Sequence, residues 1–226
     1  EQIEHKMLSS AIEKAQKKIE GNNYGIRKNL LEYDQVNNEQ REIIYKERRR
    51  VLDGENMRES IYKMITDTVE HAVDMCISDD LDSEEWDLGE LDSVLLPTIP
   101  LGPITKEKVK GLKKNQLKQN LKEEAVKLYE EKEAEFPEPE QLRELERVIL
   151  LKVIDQKWMD HIDDMDQLRQ GIGLQAYGQR DPKVEYKMQA YEMFDSMIAA
   201  IQETTLRLLY HVRLEQKVER EQVAQA

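Results

Sequence analysis

The chain has 226 residues, of which 36% are charged and only 6% are aromatic, a balance typical of long solvated helices rather than of a compact sheet protein. Its net charge of −13 excludes a general nucleic-acid-binding surface, because neutralising phosphates requires a clustered excess of Lys and Arg. Cys76 is the single cysteine, so neither an internal disulfide nor a cysteine-based metal cluster can form within the chain.

The amino-terminal part of the chain predicts one long helix. Apolar side chains recur at helical spacing from Ile3 to Leu52, which corresponds to roughly 75 Å of helix. Gly21 and Gly25 weaken the helix locally, and Asp53 and Gly54 supply a stop. The apolar face is a narrow stripe, so we expect the helix to need partners along its length.

Residues 55–140 predict a small separate helical lobe. An amphipathic helix begins the lobe and leads into an acidic segment, residues 74–92, which contains no Lys or Arg. Such a charge run is expected to form a solvated, partly disordered edge. Three prolines then break the chain into loops and short helices, and Gly111 is a candidate point of division in the helix that follows.

The third part of the chain, from Gln141 onwards, predicts two long helices that form an antiparallel hairpin. Asp181 is placed as the N-cap of the second helix and Pro182 as its first residue. No alternating pattern is long enough for a sheet, so the predicted fold class is all-α. The apolar stripe predicted for the second helix contains Val184, Met188, Tyr191, Phe194, Ile198 and Ile201.

No motif in the chain predicts an enzymatic site. Neither GxxxxGK[ST] nor GxGxxG occurs, so no catalytic residue and no nucleotide site are assigned. His161 stands among four aspartates and shares a helix face with Asp164, but a metal site requires three or four convergent ligands. We therefore interpret this stretch as an acidic solvated face with a partly packed histidine, and we assign no metal.

Two features remain open from the residues alone. The run KERRR at residues 46–50 could contact anionic lipid or an acidic partner, or could be the positive last turn of a helix. Tyr177 stands between glycines in the segment that joins the two hairpin helices. It either contacts another chain or folds back to cap the hairpin.

Two blocks of the sequence resemble the SecA family, the bacterial motors that drive preproteins through the SecYEG channel. They are AIEKAQKKIEGNNYGIRKNLLEYDQVNNEQREIIYKERRRVLDG and WMDHIDDMDQLRQGIGLQAYGQRDPKVEYKMQAYEMFDSMI. The second block is the more specific, because its Trp, LRQGI, single Tyr and DP-x-x-EYK stand in the spacing of the family. The resemblance covers essentially the whole chain and is looser in the lobe between the blocks.

The resemblance implies three structural parts. Residues 1–54 would form the long helix of the helical scaffold domain, and residues 55–140 would form the helical wing domain. Residues 141–226 would continue the scaffold and include a two-helix finger at about 144–203. In the family this finger is also described as an intramolecular regulator of ATP hydrolysis.

The resemblance also implies contact residues in the finger. Tyr177, together with Gly178 and Gln179, would form the finger tip that contacts the translocating polypeptide. The residues expected to pack the finger are Trp158, Leu168 and Tyr191.

Two residues of the long helix would contact the motor. Arg27 matches the scaffold arginine that contacts the second nucleotide-binding lobe, and Asp34 lies on the same helix. The family usually has a second acid after Asp34, where this chain has Gln35, so any role of that second acid is not expected here.

No segment of this sequence resembles the parts of the family that bind cofactors. The nucleotide-binding lobes, with their ATP and Mg²⁺, the preprotein cross-linking domain and the Cys-rich zinc-binding tail are all missing from the chain, so no cofactor is assigned to it. The implied partners are SecYEG, unfolded preprotein, the protein's own nucleotide-binding domains and anionic membrane lipids, without nucleic acid. The implied location is the bacterial cytoplasm and, peripherally, the cytoplasmic face of the inner membrane.

A second hypothesis is a stand-alone coiled-coil adaptor whose long helices dimerise. The lack of a strict heptad over several repeats counts against it. A metalloenzyme built on His161 and its neighbouring aspartates is a third hypothesis, which would require stoichiometric metal in the purified chain.

Overall fold

The computed structural model describes residues 6–54, 57–173 and 181–213. No β-strand occurs in these ranges, and the predicted all-α fold class is confirmed. None of the helices there combines the length and the apolar character that crossing a bilayer requires. The helices are α1 (Lys6–Leu52), α2 (Met57–Cys76), α3 (Leu88–Leu95), α4 (Lys106–Val109), α5 (Lys114–Ala134), α6 (Pro139–Gly171) and α7 (Pro182–His211).

The two predicted helix boundaries are confirmed by their local geometry. Helix α1 continues through both of its glycines and ends before Gly54, whose φ of 76° lies in the left-handed region that glycine adopts without strain. Helix α7 begins at Pro182, as predicted. The side chain of Asp181 accepts a hydrogen bond from the backbone N–H of Lys183 at 2.9 Å, so it caps the helix.

The chain divides into two compact units. Unit 1 contains Glu1–Glu47 and Lys157–Met197, and unit 2 contains Arg48–Gln156 and Ile198–Ala226. Helices α1, α6 and α7 each contribute residues to both units. The domain boundaries predicted after residues 54 and 140 follow the family resemblance rather than this packing, and they stay a prediction.

Unit 2 has a core built from α2, α3, α5, the first part of α6 and the last part of α7. Helix α2 packs against both α3 and α5. Apolar side chains at helical spacing are thereby removed from water, which is the main favourable contribution to folding. Core members include Ile61, Ile65, Val69, Leu91, Leu95, Leu117, Leu121, Tyr129, Leu142, Leu206 and Leu209.

The acidic segment at residues 74–92 packs into the core of unit 2, so the predicted partial disorder is wrong, although most of its acidic side chains are exposed as the predicted solvated edge requires. Trp86 is buried within the segment and its Nε1 donates to the carbonyl oxygen of Leu81 at 3.1 Å. Asp87 caps α3 by accepting from the N–H of Glu90 at 3.0 Å. The apolar residues between the acids pack into the core, and that burial outweighs the repulsion between the charges. At the start of the segment, Asp74 forms ion pairs with Lys114 and Lys118 of α5.

A buried carboxylate network joins α5 to α6 in unit 2. The side chain of Glu146 is fully buried, and it accepts hydrogen bonds from the hydroxyl of Tyr129 and from Arg143. Arg143 also pairs with Glu133. Burial raises the pKa of Tyr129 well above its usual value, so the phenol remains a proton donor to Glu146. Burial also raises the pKa of the Glu146 carboxyl, against the opposing effects of Tyr129 and Arg143.

Unit 1 is a bundle of three helices, α1, α6 and α7. Helices α1 and α7 run in the same direction, because their side-chain contacts advance together along both sequences. Helix α6 runs antiparallel to α7, since His161 lies near Phe194 and Arg169 acts on the pKa of Tyr186. The buried apolar core of the unit contains Tyr33, Val36, Met165, Ile172, Tyr186 and Ala190.

A buried amide connects all three helices of unit 1. Gln40, which is 2% exposed, donates from Nε2 to the carbonyl oxygen of Ala190 on α7 at 3.0 Å. Its Oε1 lies 2.8 Å from Nε2 of His161 on α6. An amide oxygen can only accept, so His161 carries its proton on Nε2. Burial lowers the pKa of His161, which keeps the ring neutral.

The apolar stripe predicted for α7 is wrong at three of its four positions within unit 1 and right at Phe194, which is buried. Val184, Met188 and Tyr191 are 62%, 47% and 50% exposed. Helix α7 has apolar residues on two neighbouring rows, and periodicity alone does not tell which row meets a partner. The buried positions of the helix in this unit are Tyr186, Ala190, Phe194 and Met197.

We predict that Tyr129→Phe lowers the free energy of unfolding of the chain by about 1–3 kcal/mol, because it leaves the buried Glu146 without one of its donors. Urea unfolding followed by circular dichroism measures this change. Tyr45→Phe removes the same atom from a side chain that is 55% exposed, so it should change stability by less than about 0.5 kcal/mol. Equal stability of the two variants would contradict the prediction.

We predict that acidification weakens the fold through His161. Its pKa in the folded state lies below the ordinary 6.5, so as the pH falls from 7 through that value the unfolded chain binds a proton before the folded chain does. The free energy of unfolding should therefore fall with pH, by up to about 1.4 kcal/mol per pH unit. Urea unfolding at a series of pH values measures the slope.

The matched variants for this measurement are His161→Gln and His71→Gln. The first keeps an N–H donor but does not titrate, so the slope should flatten. The second changes an exposed histidine and should leave the slope as it is. An unchanged slope in His161→Gln would refute the assignment.

Candidate functional site

The candidate site lies in unit 1, where α1 packs against the end of α6 and the start of α7, the two helices of the predicted hairpin. We call this region the hairpin root and define it as the side chains that face another helix within residues 32–41 of α1, 158–172 at the end of α6, and 181–194 at the start of α7. The segment between the two hairpin helices carries Tyr177, Gly178 and Gln179. These three predicted tip residues lie outside the described residues, and their assignment stays a prediction.

An aromatic pair forms the centre of the hairpin root. The rings of Tyr33 on α1 and Tyr186 on α7 lie 4.3 Å apart between centroids. Tyr186 is fully buried, and its hydroxyl donates to Oδ1 of Asn37 at 3.2 Å. Burial raises the pKa of both tyrosines, so both remain neutral. The aromatic pair and the hydrogen bond of Tyr186 position the first turns of α7 against α1.

An ion pair lies beside the aromatic pair. Nζ of Lys183 is 3.2 Å from Oε1 of Glu32, and both side chains are about 30% exposed. At that exposure solvent screens the attraction, so the pair contributes up to about 1 kcal/mol. The ion pair joins α1 to the first turn of α7. It precedes the Tyr33–Tyr186 contact along both helices, as expected for two helices that run in parallel.

A polar groove of about 400 Å³ opens between α1 and α6 in the hairpin root. It presents carboxylates, guanidinium groups and amides together, a set that can recognise a polar partner by hydrogen bonds and charge pairing. The residues that line the groove include no Ser, Thr, Cys or Lys, so none of these nucleophiles lies beside His161 there. The lining includes Asp34, Asn37, Asn38, Arg41, Asp166 and Arg169.

The acidic stretch around His161 does not form a metal centre in the described part of the chain. Within residues 6–54, 57–173 and 181–213, no three His, Cys, Asp or Glu side chains group in a way that could hold a metal ion. The ring of His161 lies instead between Trp158 and Phe194, with centroid distances of 5.6 and 5.8 Å.

The predicted motor-contacting residues lie on the exposed surface of α1. Arg27 and Asp34 are both exposed, and their separation of two helical turns places them on one face. Asp34 also lines the polar groove, so it belongs to the hairpin root, whereas Arg27 lies outside that region. Their contact with a motor stays a prediction.

The predicted finger-packing residues have different surroundings. Trp158 is 8% exposed, and Leu168 is partly buried against the core of unit 1. Tyr191 is half exposed, and its hydroxyl lies 3.5 Å from Oε2 of Glu39 on α1. Tyr191 therefore contacts the edge of α1, and the interior position that the predicted stripe implied for it is corrected.

Sequence reasoning missed Gln40, which contacts both hairpin helices. A signal was present, because Tyr33, Val36, Gln40 and Ile44 follow helical steps and all four are buried. An amide on an otherwise apolar stripe predicts a buried hydrogen-bond partner, since unpaired buried amides are costly. For His161 the sequence predicted partial packing but not its hydrogen bond to Gln40.

Comparison with known proteins gives a family that covers almost the whole chain. A family model described as the SecA wing and scaffold domain matches residues 2–213. The chain is 70% identical to the protein translocase subunit SecA of Lachnoclostridium phytofermentans over 99% of its length. It is 49% identical over 96% of its length to the subunit of Syntrophomonas wolfei, and 50% identical over 99% to that of Clostridium perfringens.

The chain spans about a quarter of the length of these relatives, with shares of 26%, 26% and 27%. The family match covers almost the whole chain, including all three helices of the hairpin root. This chain therefore belongs to the SecA family of protein translocase subunits, within the wing and scaffold domain.

Proposed function

We propose that this chain is the part of a translocase subunit that transmits ATP-driven movement of a motor to a preprotein in the SecYEG channel. The observation that carries the proposal is the hairpin root, where α1 is bonded to both helices that lead to the segment of Tyr177. A continuous helix of 47 residues can carry a displacement along its length, and a packed hairpin can deliver it to a tip. The same connection would allow the hairpin to regulate ATP hydrolysis in return.

The amino-terminal half of α1 is the surface proposed to meet the motor. Its large apolar side chains are 45–71% exposed, and exposed apolar surface of this extent marks interaction sites. Arg27 lies in the middle of this surface and adds a charged contact. The proposed occupant is the protein's own nucleotide-binding domains, where ATP and Mg²⁺ would bind. The exposed residues are Ile12, Ile19, Tyr24, Ile26, Leu30 and Leu31.

The proposed substrate contact is made by Tyr177, with Gly178 and Gln179 beside it. A lone aromatic ring can stack on any passing side chain, so the contact would be sequence-tolerant, as an unfolded preprotein requires. The proposed location is the bacterial cytoplasm and the cytoplasmic face of the inner membrane, where a peripheral protein can reach the channel. The relatives are named protein translocase subunits, and this name supports the proposed assignment for the whole protein.

The basic run at residues 46–50 offers less support for contact with anionic lipid. Arg48 donates to Asp155 at 2.8 Å, and Arg49 lies 3.7 Å from Asp53. These partners favour the interpretation of the run as the positive last turn of α1, which interacts favourably with the helix dipole.

One observation favours the alternative of a coiled-coil adaptor. Ile12, Ile19 and Ile26 are exposed and spaced seven residues apart, as in one row of a heptad repeat. The second row has Ala15 and Asn22, which would pack weakly at a dimer seam. The apolar row therefore fits a large globular partner better than a second copy of α1.

We predict that Tyr177→Ala lowers preprotein transport by about ten-fold, because the tip loses an aromatic contact worth about 1–1.5 kcal/mol. The measurement is transport into membrane vesicles by the L. phytofermentans subunit carrying this chain in place of its own segment. Tyr45→Ala, which removes an exposed tyrosine from α1, should retain transport. Normal transport by Tyr177→Ala would refute the substrate contact.

We predict that the 226-residue chain is monomeric across a hundred-fold range of concentration, because α1 lacks the second apolar row that a dimer seam needs. Light scattering coupled to size exclusion measures the mass. A dimer that dissociates on dilution, and that Ile19→Asp abolishes, would support the adaptor and count against the motor-docking role of α1.

A further inference from the structure

Gln40 sits at the point where the scaffold helix meets the hairpin. We propose that it is a positioning residue that fixes the register of α1 against α6 and α7, so that a displacement of α1 moves the hairpin with it. This inference rests on the proposed function, since it concerns how movement of the long helix reaches the tip segment. It assigns to one buried amide a role in coupling rather than in contact with substrate or nucleotide.

The hydrogen-bond geometry of Gln40 is specific to one register. Its Nε2 donates to the carbonyl oxygen of Ala190 at 3.0 Å, and its Oε1 accepts from Nε2 of His161 at 2.8 Å. If α1 slides along its axis by one helical turn, about 5.4 Å, both distances leave hydrogen-bond range. Gln40, His161 and Ala190 are all buried in this register, so separating them leaves polar groups without the partners that offset their burial.

The apolar contacts around Gln40 cannot hold the register by themselves. Hydrophobic packing is non-directional, and helices slide past one another when their side chains find equivalent gaps. The neighbouring polar contacts, Lys183 with Glu32 and Tyr186 with Asn37, each connect α1 to α7 alone. Gln40 differs from them because a single side chain bonds both helices of the hairpin.

The ring of His161 restricts how the junction can change. It is 3% exposed, lies between Trp158 and Phe194, and presents an N–H to Gln40. The carbonyl of Ala190 already accepts within α7 and uses its second lone pair for Gln40. The amide nitrogen and oxygen of Gln40, Nε2 of His161 and the carbonyl of Ala190 are thus paired together in this register, and a slide of α1 separates Gln40 from both partners at once.

The first test measures the distance between α1 and α7 in the full-length L. phytofermentans subunit that carries this chain. Spin labels replace the exposed residues Glu42 and Glu192, with the other cysteines of the protein removed. The distance should be narrowly distributed and equal with ADP and with a non-hydrolysable ATP analogue. In Gln40→Leu the distance distribution should broaden or shift, by up to about 5.4 Å, the rise of one helical turn.

The matched control for this measurement is Gln35→Leu. It makes the same change on the same helix at an exposed amide, which bonds Glu39 within α1. The control should keep the narrow distance of the wild-type protein. If Gln40→Leu keeps that distance in both nucleotide states, Gln40 does not set the register.

The second test measures preprotein transported per ATP hydrolysed. It should fall by about five-fold or more in Gln40→Leu, the lower end of typical coupling effects between sites, and stay unchanged in Gln35→Leu. His161→Gln keeps a donor for Oε1 and should remain within about two-fold of wild type, whereas His161→Leu should fall like Gln40→Leu. If Gln40→Leu does not fold, the comparison of His161→Gln with His161→Leu tests the inference instead.

The outcomes separate this inference from the proposed function. If Tyr177→Ala impairs transport while Gln40→Leu and His161→Leu keep the wild-type ratio of transport to hydrolysis, the register role of Gln40 is refuted and the proposed function stands. If Tyr177→Ala transports normally, the substrate contact fails. A changed distance distribution in Gln40→Leu would then still establish the register role.

Discussion

The packing of α1 alongside α7, in the same direction, is the constraint on which the rest of unit 1 depends. Two helices that are far apart in sequence can pair in parallel because the chain returns along α6, antiparallel to both, before it enters α7. The pairing is then specified by contacts of three kinds: an ion pair at Lys183, a tilted pair of tyrosine rings at Tyr186 and a buried amide at Gln40. The buried contacts outweigh the exposed one, because solvent screens the ion pair and does not reach the amide.

Much of the fold was predictable from local signals in the sequence. The stop at Gly54 and the start at Asp181 and Pro182 follow from backbone preferences that need no tertiary information. The all-α class follows from periodicity over long stretches, where the apolar spacing is unambiguous. The resemblance to SecA rested on spacing within two blocks, and the match of the family over residues 2–213 agrees with it.

The misses share a physical cause, which is that burial depends on partners that local patterns do not specify. Helix α7 carries two apolar rows, so the sequence could not tell that Tyr186 faces α1 while Tyr191 remains half exposed. The acidic segment was predicted to be disordered, because its charges were counted and its buried Trp86 was not given equal weight. For the tip at Tyr177 and the motor contact at Arg27, the expectation still comes from resemblance.

The bond between Gln40 and His161 also constrains how this protein can change over evolutionary time. The two positions are 121 residues apart, yet neither can be replaced without regard to the other, since one must accept the hydrogen that the other donates. A lineage that loses the imidazole has to gain another donor there, or to exchange both residues for apolar ones of matching volume. Among related wing and scaffold domains, substitutions at Gln40 and His161 are therefore expected to occur together.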